Sequence, residues 1–120
     1  MNLDALRSAL RAFAAERDWD QFHSPKNLSM ALSVEVAELV EHFQWLTEDE
    51  SRALPPETAA QAAEEIADIQ IYLVRLADKL GVDIEAAVAA KLEQNERKYP
   101  ADKARGSASK YTRYEREPKA

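Results

Sequence analysis

Four acidic side chains stand at helical spacing on two consecutive segments of the 120-residue chain. Glu35 and Glu38 are three residues apart, and so are Glu65 and Asp68. Residues three apart on an α-helix share one face, within about one 5.4 Å turn. Two such helices packed side by side would bring four carboxylates together. Four negative charges repel one another at this distance unless some are protonated or a cation binds between them. Oxygen ligands of this kind favour Mg²⁺, which keeps positions open for water and phosphate.

Other interpretations of the same residues stay open at this level. A single Glu-x-x-Glu pair is commonly a solvated helix face, and the chain would then be a non-catalytic helical interaction or regulatory module. A di-iron bundle is a further alternative, but it typically needs Glu-x-x-His on two helices. His42 follows Glu38 by four residues, and the second acidic segment has no His. We therefore expect His42 to support a ligand or to be partly exposed.

The elements that must position these residues are predicted to be helices. Gly is scarce, and apolar residues recur three and four apart through most of the chain. Thr47 to Glu50 resembles a capping box, and Gly81 is a typical helix end. The resulting prediction is an all-α four-helix bundle with helices over 3–16, 25–46, 57–80 and 83–98.

Apolar positions predict how the two acidic helices pack. In the second helix Glu35 and Glu38 fall between an apolar stripe and a smaller group formed by Val34 and Trp45. The stripe comprises Leu28, Leu32, Leu39, Phe43 and Leu46. In the third helix Glu65 and Asp68 border a predicted seam of Ile66, Ile69, Leu73, Leu76 and Leu80. Carboxylates bordered by apolar residues are desolvated unless something compensates them.

Length and composition indicate one globular domain. Hydrophobic residues make up 46% and charged residues 32% of the chain. We expect a helical domain over 1–100 and a polar, basic tail over 101–120. Four helices in 120 residues leave a thin core, so a homodimer or homotetramer is expected.

Cysteine content and hydropathy exclude several classes of protein. The chain has no Cys, which excludes disulfide frameworks, thiol catalysis and thiolate zinc sites and favours a cytoplasmic location. No apolar run approaches the roughly 18 residues that a membrane span needs, so no membrane association is expected.

The charge is unevenly distributed. Residues 1–100 carry 10 Lys and Arg against 19 Asp and Glu, whereas residues 101–120 carry 6 against 3. An acidic body is unsuited to a nucleic-acid polymer. An anionic small molecule would need a cation between itself and the protein.

Four ordered segments and part of the tail resemble a known family. They are 16–27 (ERDWDQFHSPKN), 35–45 (EVAELVEHFQW), 64–73 (EEIADIQIYL), 91–100 (KLEQNERKYP) and 106–112 (GSASKYT). Together they are similar to the all-α nucleoside triphosphate pyrophosphohydrolases of the MazG-like superfamily, and within it to the dCTP pyrophosphatase branch.

This resemblance implies hydrolysis of a nucleoside triphosphate between the α- and β-phosphates, giving a monophosphate and pyrophosphate. The expected substrate is dCTP or a modified pyrimidine deoxynucleotide, and the role is cleaning of the nucleotide pool. The four carboxylates Glu35, Glu38, Glu65 and Asp68 would be catalytic and would hold Mg²⁺, with Mn²⁺ as a substitute.

The resemblance also assigns the substrate contacts. Those to the base would come from Trp19, His23, Asn27, Trp45 and Tyr72. Phosphate contacts would come from Lys91, Asn95 and Lys98, with Lys110 and Tyr111 of the tail folding over the triphosphate. Some cytosine-preferring relatives carry a His on the first helix, where this chain has Leu10-Arg11.

Overall fold

The computed structural model describes residues 1–108, which form helices and turns without a β-strand. The predicted all-α class is therefore confirmed. The helices are α1 (Leu3–Glu16), α2 (Pro25–Glu41), α3 (Glu48–Ser51), α4 (Pro56–Leu80), α5 (Ile84–Lys98) and α6 (Ala101–Ala104), with a 3-10 turn at Asp20–Phe22. Within residues 1–108, no helix combines the length and apolarity needed to cross a bilayer.

Local side chains set the helix ends. Four polar side chains accept a backbone N–H in the first turn of the helix that follows them, namely Asn2, Ser24, Thr47 and Asp83. Thr47 and Glu50 form the predicted reciprocal capping box. Gly81 ends α4 with φ at 67°, a left-handed conformation that favours glycine. Of these signals, Ser24 marks the start of α2 and Gly81 marks the end of α4, the two helices that carry the acidic pairs.

The chain divides into two compact units, one over Met1–Val82 and another that begins at Asp83. In the first unit α2 packs along α4, and α1 packs on α4 and on the 3-10 turn. The buried apolar residues described are mostly small: Ala14, Leu28, Ala62, Val74 and Ala77. The core is thin, as the chain length predicts.

Helix α2 ends at Glu41, five residues before the predicted end at 46. The next residues form tight turns, in which Phe43 N–H and Gln44 N–H both donate to the Val40 carbonyl at 2.9 Å. The helix ends here because the N–H groups of His42, Phe43 and Leu46 donate to carbonyls three residues back, which replaces the i, i+4 pattern of an α-helix with tighter turns. As a result Trp45 lies outside α2 and is 87% exposed.

The predicted apolar seam of α4 divides into two rows. Ile69 and Leu76 are half-buried, whereas Ile66, Leu73 and Leu80 are exposed. Val74 and Ala77 occupy the buried face instead. A single chain therefore leaves one apolar row of α4 open to solvent.

Candidate active site

The two acidic pairs lie on the pair of helices that pack together most extensively, α2 and α4. Glu35, Glu38 and Glu65 are half-buried, and Asp68 is exposed. Ser24 at the N-cap and Pro25 in the first turn start α2, which places its pair in the third and fourth turns. The packing of α2 against α4 thus brings the two acidic pairs, Glu35 with Glu38 and Glu65 with Asp68, into one acidic cluster.

Electrostatics show that the four carboxyl groups interact. Burial raises the pKa of the Glu35 carboxyl, and a hydrogen bond with Glu38 raises it further. The negative charges of Glu38, Asp68 and Glu65 act in the same direction. The ionised form of Glu35 is therefore disfavoured in the protein alone, and a positive charge among these groups would relieve it.

An unpartnered oxygen tests whether the residues suit a cation. Glu35 Oε2 is buried and has no hydrogen-bond partner, although buried polar atoms in folded proteins nearly always have one. A divalent cation with oxygen ligands would satisfy this atom and offset the neighbouring charges. No three acidic or histidine side chains in residues 1–108 already stand in a metal-holding arrangement.

His42 caps α2 and reaches α4. Its Nε2 lies 2.7 Å from Glu65 Oε2, and the two side chains are 21% and 17% exposed. A hydrogen bond of this kind fixes one carboxylate oxygen and leaves Glu65 Oε1 for a cation. The contact places His42 beside one of the four predicted metal ligands, and the side chain is partly exposed.

The residues predicted to contact a base lie at several places in the first unit. Trp19 packs edge-on against Phe13, with ring centroids 5.7 Å apart, and keeps 45% exposure. Tyr72 is half-buried on α4, one turn after Asp68. Trp45 lies in the turn after α2, as described above.

Asn27 and His23 flank the start of α2. The Asn27 Nδ2 amide donates to the Phe22 carbonyl at 2.9 Å, so this side chain closes the turn. His23 Nδ1 accepts a hydrogen bond from Arg75 Nε at 3.2 Å. Both side chains are thus tied to the protein, and the Arg75 hydrogen bond occupies Nδ1 of the His23 ring.

The residues predicted to contact phosphate belong to the second unit or lie outside the described range. Lys91, Asn95 and Lys98 are on α5, where Lys91 Nζ donates to Gln94 Oε1 at 3.0 Å. Lys110 and Tyr111 lie outside the described residues.

Sequence reasoning missed an ion-pair network centred on Arg75. This side chain is 5% exposed and is the buried charged residue of the described chain, residues 1–108. Its Nη2 donates to Asp20 Oδ1 at 2.6 Å, and its Nη1 lies 3.5 Å from Asp78 Oδ2. Lys79 also binds Asp20, and Arg11 also binds Asp78. One signal was present, because an Arg three residues after Tyr72 falls on the inward face of α4.

Comparison with known proteins defines the class first. The MazG-like family model matches residues 30–113, more than half of the chain. The chain belongs to the MazG-like family, as the resemblance predicted.

Individual relatives place it within that family. The chain is 48% identical to dCTP pyrophosphatase 1 from Homo sapiens and from Mus musculus over 112 residues, which is 92% of this chain. It spans 66% of the length of those relatives. The structure of a pyrophosphatase from Archaeoglobus fulgidus is 44% identical, with a TM-score of 0.77, covering 81% of this chain and 91% of that one. These matches confirm the predicted relationship to the dCTP pyrophosphatase branch.

Proposed function

We propose that the chain hydrolyses a deoxynucleoside triphosphate between its α- and β-phosphates, releasing the monophosphate and pyrophosphate. The proposed substrate is dCTP or a modified pyrimidine deoxynucleotide in the cytoplasmic nucleotide pool. The observation that carries the proposal is the acidic cluster of α2 and α4, in which Glu35 Oε2 is buried and unpartnered. The pyrophosphatase relatives support the reaction type.

The proposed cofactor is Mg²⁺, with Mn²⁺ as a substitute, held by Glu35, Glu38, Glu65 and Asp68. When bound, this ion neutralises phosphate oxygens and makes the attacking water more acidic. A carboxylate of the cluster that is not bound to the ion would accept the water's proton. His42 would keep the Glu65 carboxylate oriented through its 2.7 Å contact.

The other substrate contacts predicted from the sequence are part of this proposal. The base would stack on the aromatic side chains Trp19, Trp45 and Tyr72, because a flat ring accepts any base face. His23 and Asn27 would lie at the edge of the base. Phosphate contacts are proposed for Lys91, Asn95 and Lys98, and for Lys110 and Tyr111.

Product analysis tests this function. The protein is incubated with each of the four dNTPs and a 5-modified dCTP, with Mg²⁺ or with EDTA, and products are resolved by ion-exchange chromatography. We expect monophosphate and pyrophosphate, dependence on the metal, and fastest turnover of the cytosine nucleotides. Release of orthophosphate contradicts the proposed bond cleavage. Absence of turnover favours the interaction module, and iron in the purified protein favours the di-iron bundle.

A homodimer or homotetramer is also proposed. Met30 and Val34 are one turn apart on α2 and are 57% and 54% exposed, and α4 carries the open row with Ile66 and Leu73. Exposed apolar rows of this kind are commonly covered by another protein surface.

Light scattering after size exclusion checks the oligomeric state. We expect two or four times the 13.5 kDa chain mass, and a shift of Val34→Asp toward a single chain mass because a carboxylate would be buried in the interface. Ser33→Asp, at an exposed neighbouring position, should keep the wild-type mass. A monomeric wild-type protein would rule the assembly out.

A further inference from the structure

We propose that Arg75 is a positioning residue that holds His23 in a single tautomer, so that His23 Nε2–H is a fixed hydrogen-bond donor toward an acceptor atom of the substrate base. The contact that carries this inference is the 3.2 Å hydrogen bond from Arg75 Nε to His23 Nδ1. The inference rests on the proposed function for the identity of the ligand, but not for the state of the imidazole.

The chemistry of the two groups fixes the tautomer. A guanidinium has five N–H donors and no acceptor, and it stays protonated in proteins. Its partner nitrogen on His23 must therefore carry no proton. In a neutral imidazole the other nitrogen then bears the hydrogen, so Nε2 is a donor.

The surroundings keep His23 neutral. Burial lowers the pKa of His23, and the positive charges of Arg75 and Lys79 lower it further, while Asp20 acts in the opposite direction. A protonated ring would place a second N–H against the Arg75 donor. The hydrogen bond and the charges thus favour the same form of the ring.

The surrounding structure fixes the position of both partners. The His23 N–H donates to the Asp20 carbonyl at 3.1 Å, and the adjacent Ser24 caps α2. Arg75 is held by Asp20 and Asp78, which each have a second cation partner. A site discriminates between base edges when its hydrogen-bond donor has a fixed direction and a fixed protonation state.

The place of Arg75 on α4 links this donor to the acidic cluster. Asp68, Tyr72 and Arg75 are spaced i, i+4 and i+7, so they share one face of the helix. Asp68 and Arg75 are about 10 Å apart along the axis. In the proposed site a nucleotide would bridge this span, with its phosphates at the acidic end and its base near His23. Cytosine presents a ring nitrogen and a carbonyl as acceptors, whereas thymine has an N–H at that ring position.

The state of the ring is measured by ¹⁵N NMR on the nucleotide-free protein. The chain has two His residues, so a His23→Asn variant assigns both ring systems. We expect wild-type His23 to carry its proton on Nε2. Arg75→Met removes the donor while Asp20 keeps Lys79 and Asp78 keeps Arg11, and it should give a mixture of tautomers. A wild-type ring protonated on Nδ1, or a ring unaffected in Arg75→Met, overturns the proposal.

Steady-state kinetics give the second measurement. In Arg75→Met the KM for the preferred dNTP should rise about tenfold, because the substrate loses one well-aligned hydrogen bond. The kcat should stay within about twofold of the wild-type value. Arg75→Lys keeps a cationic donor and should recover most of the affinity. Lys79→Met removes the other cation from Asp20 and one of the charges that lower the pKa of His23, but it keeps the hydrogen bond from Arg75. At a pH above the titration range of the ring, it should change neither the KM nor the Nε2 tautomer. An unchanged KM in Arg75→Met contradicts the proposal.

The outcomes separate this inference from the proposed function. If Arg75→Met does not fold, the proposal is tested by the tautomer of the wild-type His23 ring and by the KM of Arg75→Lys. A large rise in the KM of Arg75→Lys without a change in the His23 tautomer overturns the assignment. If the wild-type protein hydrolyses no dNTP, the proposed function fails, and with it the base contact. The ring measurement then decides the Arg75 tautomer assignment by itself.

Discussion

Replacing Glu38 by glutamine is expected to abolish metal-dependent hydrolysis while leaving the helix content unchanged. Glu38 is half-buried on α2, and its carboxyl group contributes to the raised pKa of Glu35 in the acidic cluster. The amide keeps the shape of the side chain but removes the negative charge that a divalent cation needs from its ligand. Replacing a residue that only orients a metal ligand typically lowers metal affinity or activity about 10–100-fold. Loss of a ligand itself should therefore lower kcat/KM by more than about a hundredfold.

Glu41→Gln is the matched control for this variant. Glu41 is on the same helix, three residues later, and is exposed. We expect it to keep wild-type kcat/KM and the wild-type dependence on Mg²⁺. Circular dichroism of both variants should match the wild-type protein. Retention of activity in Glu38→Gln would remove this residue from the metal site.

Local signals in the sequence account for most of the fold. The N-caps Ser24 and Asp83, the capping box at Thr47 and the left-handed Gly81 each act within a few residues, so the sequence alone indicates where helices begin and end. The spacing of the acidic pairs is local in the same sense. Their approach followed from pairing two consecutive helices, the commonest arrangement when elements are adjacent in the chain.

Other features depend on contacts between distant parts of the chain and could not be predicted. The early end of α2 reflects a change to tighter i, i+3 hydrogen bonds after Glu41, which the helical periodicity of apolar residues does not reveal. Arg75 meets His23 and Asp20 across more than 50 residues of sequence. A helical pattern indicates that Arg75 points inward, but only the packed structure shows which groups satisfy it.

Replacing Glu35 by glutamine is expected to separate stability from metal binding. In EDTA-treated protein Glu35→Gln should raise the Tm by roughly 2–5 °C. The substitution removes a negative charge that burial and three acidic neighbours disfavour at this position. Mg²⁺ at a hundredfold excess over its Kd should stabilise the wild-type protein by about 2.7 kcal/mol. The same addition should leave the Tm of Glu35→Gln nearly unchanged, because a ligand oxygen and its charge are missing.

Differential scanning calorimetry at one protein concentration measures both effects, since assembly makes the Tm depend on concentration. Glu64→Gln is the control, because Glu64 is exposed on α4 beside Glu65. It should have the wild-type Tm in EDTA and the full response to Mg²⁺. A lower Tm for Glu35→Gln in EDTA would mean that the Glu35 carboxylate stabilises the fold, and an intact Mg²⁺ response in that variant would place the cation elsewhere. An acidic cluster that holds a cation should destabilise the fold when the cation is absent, because the charges that attract the ion then repel one another.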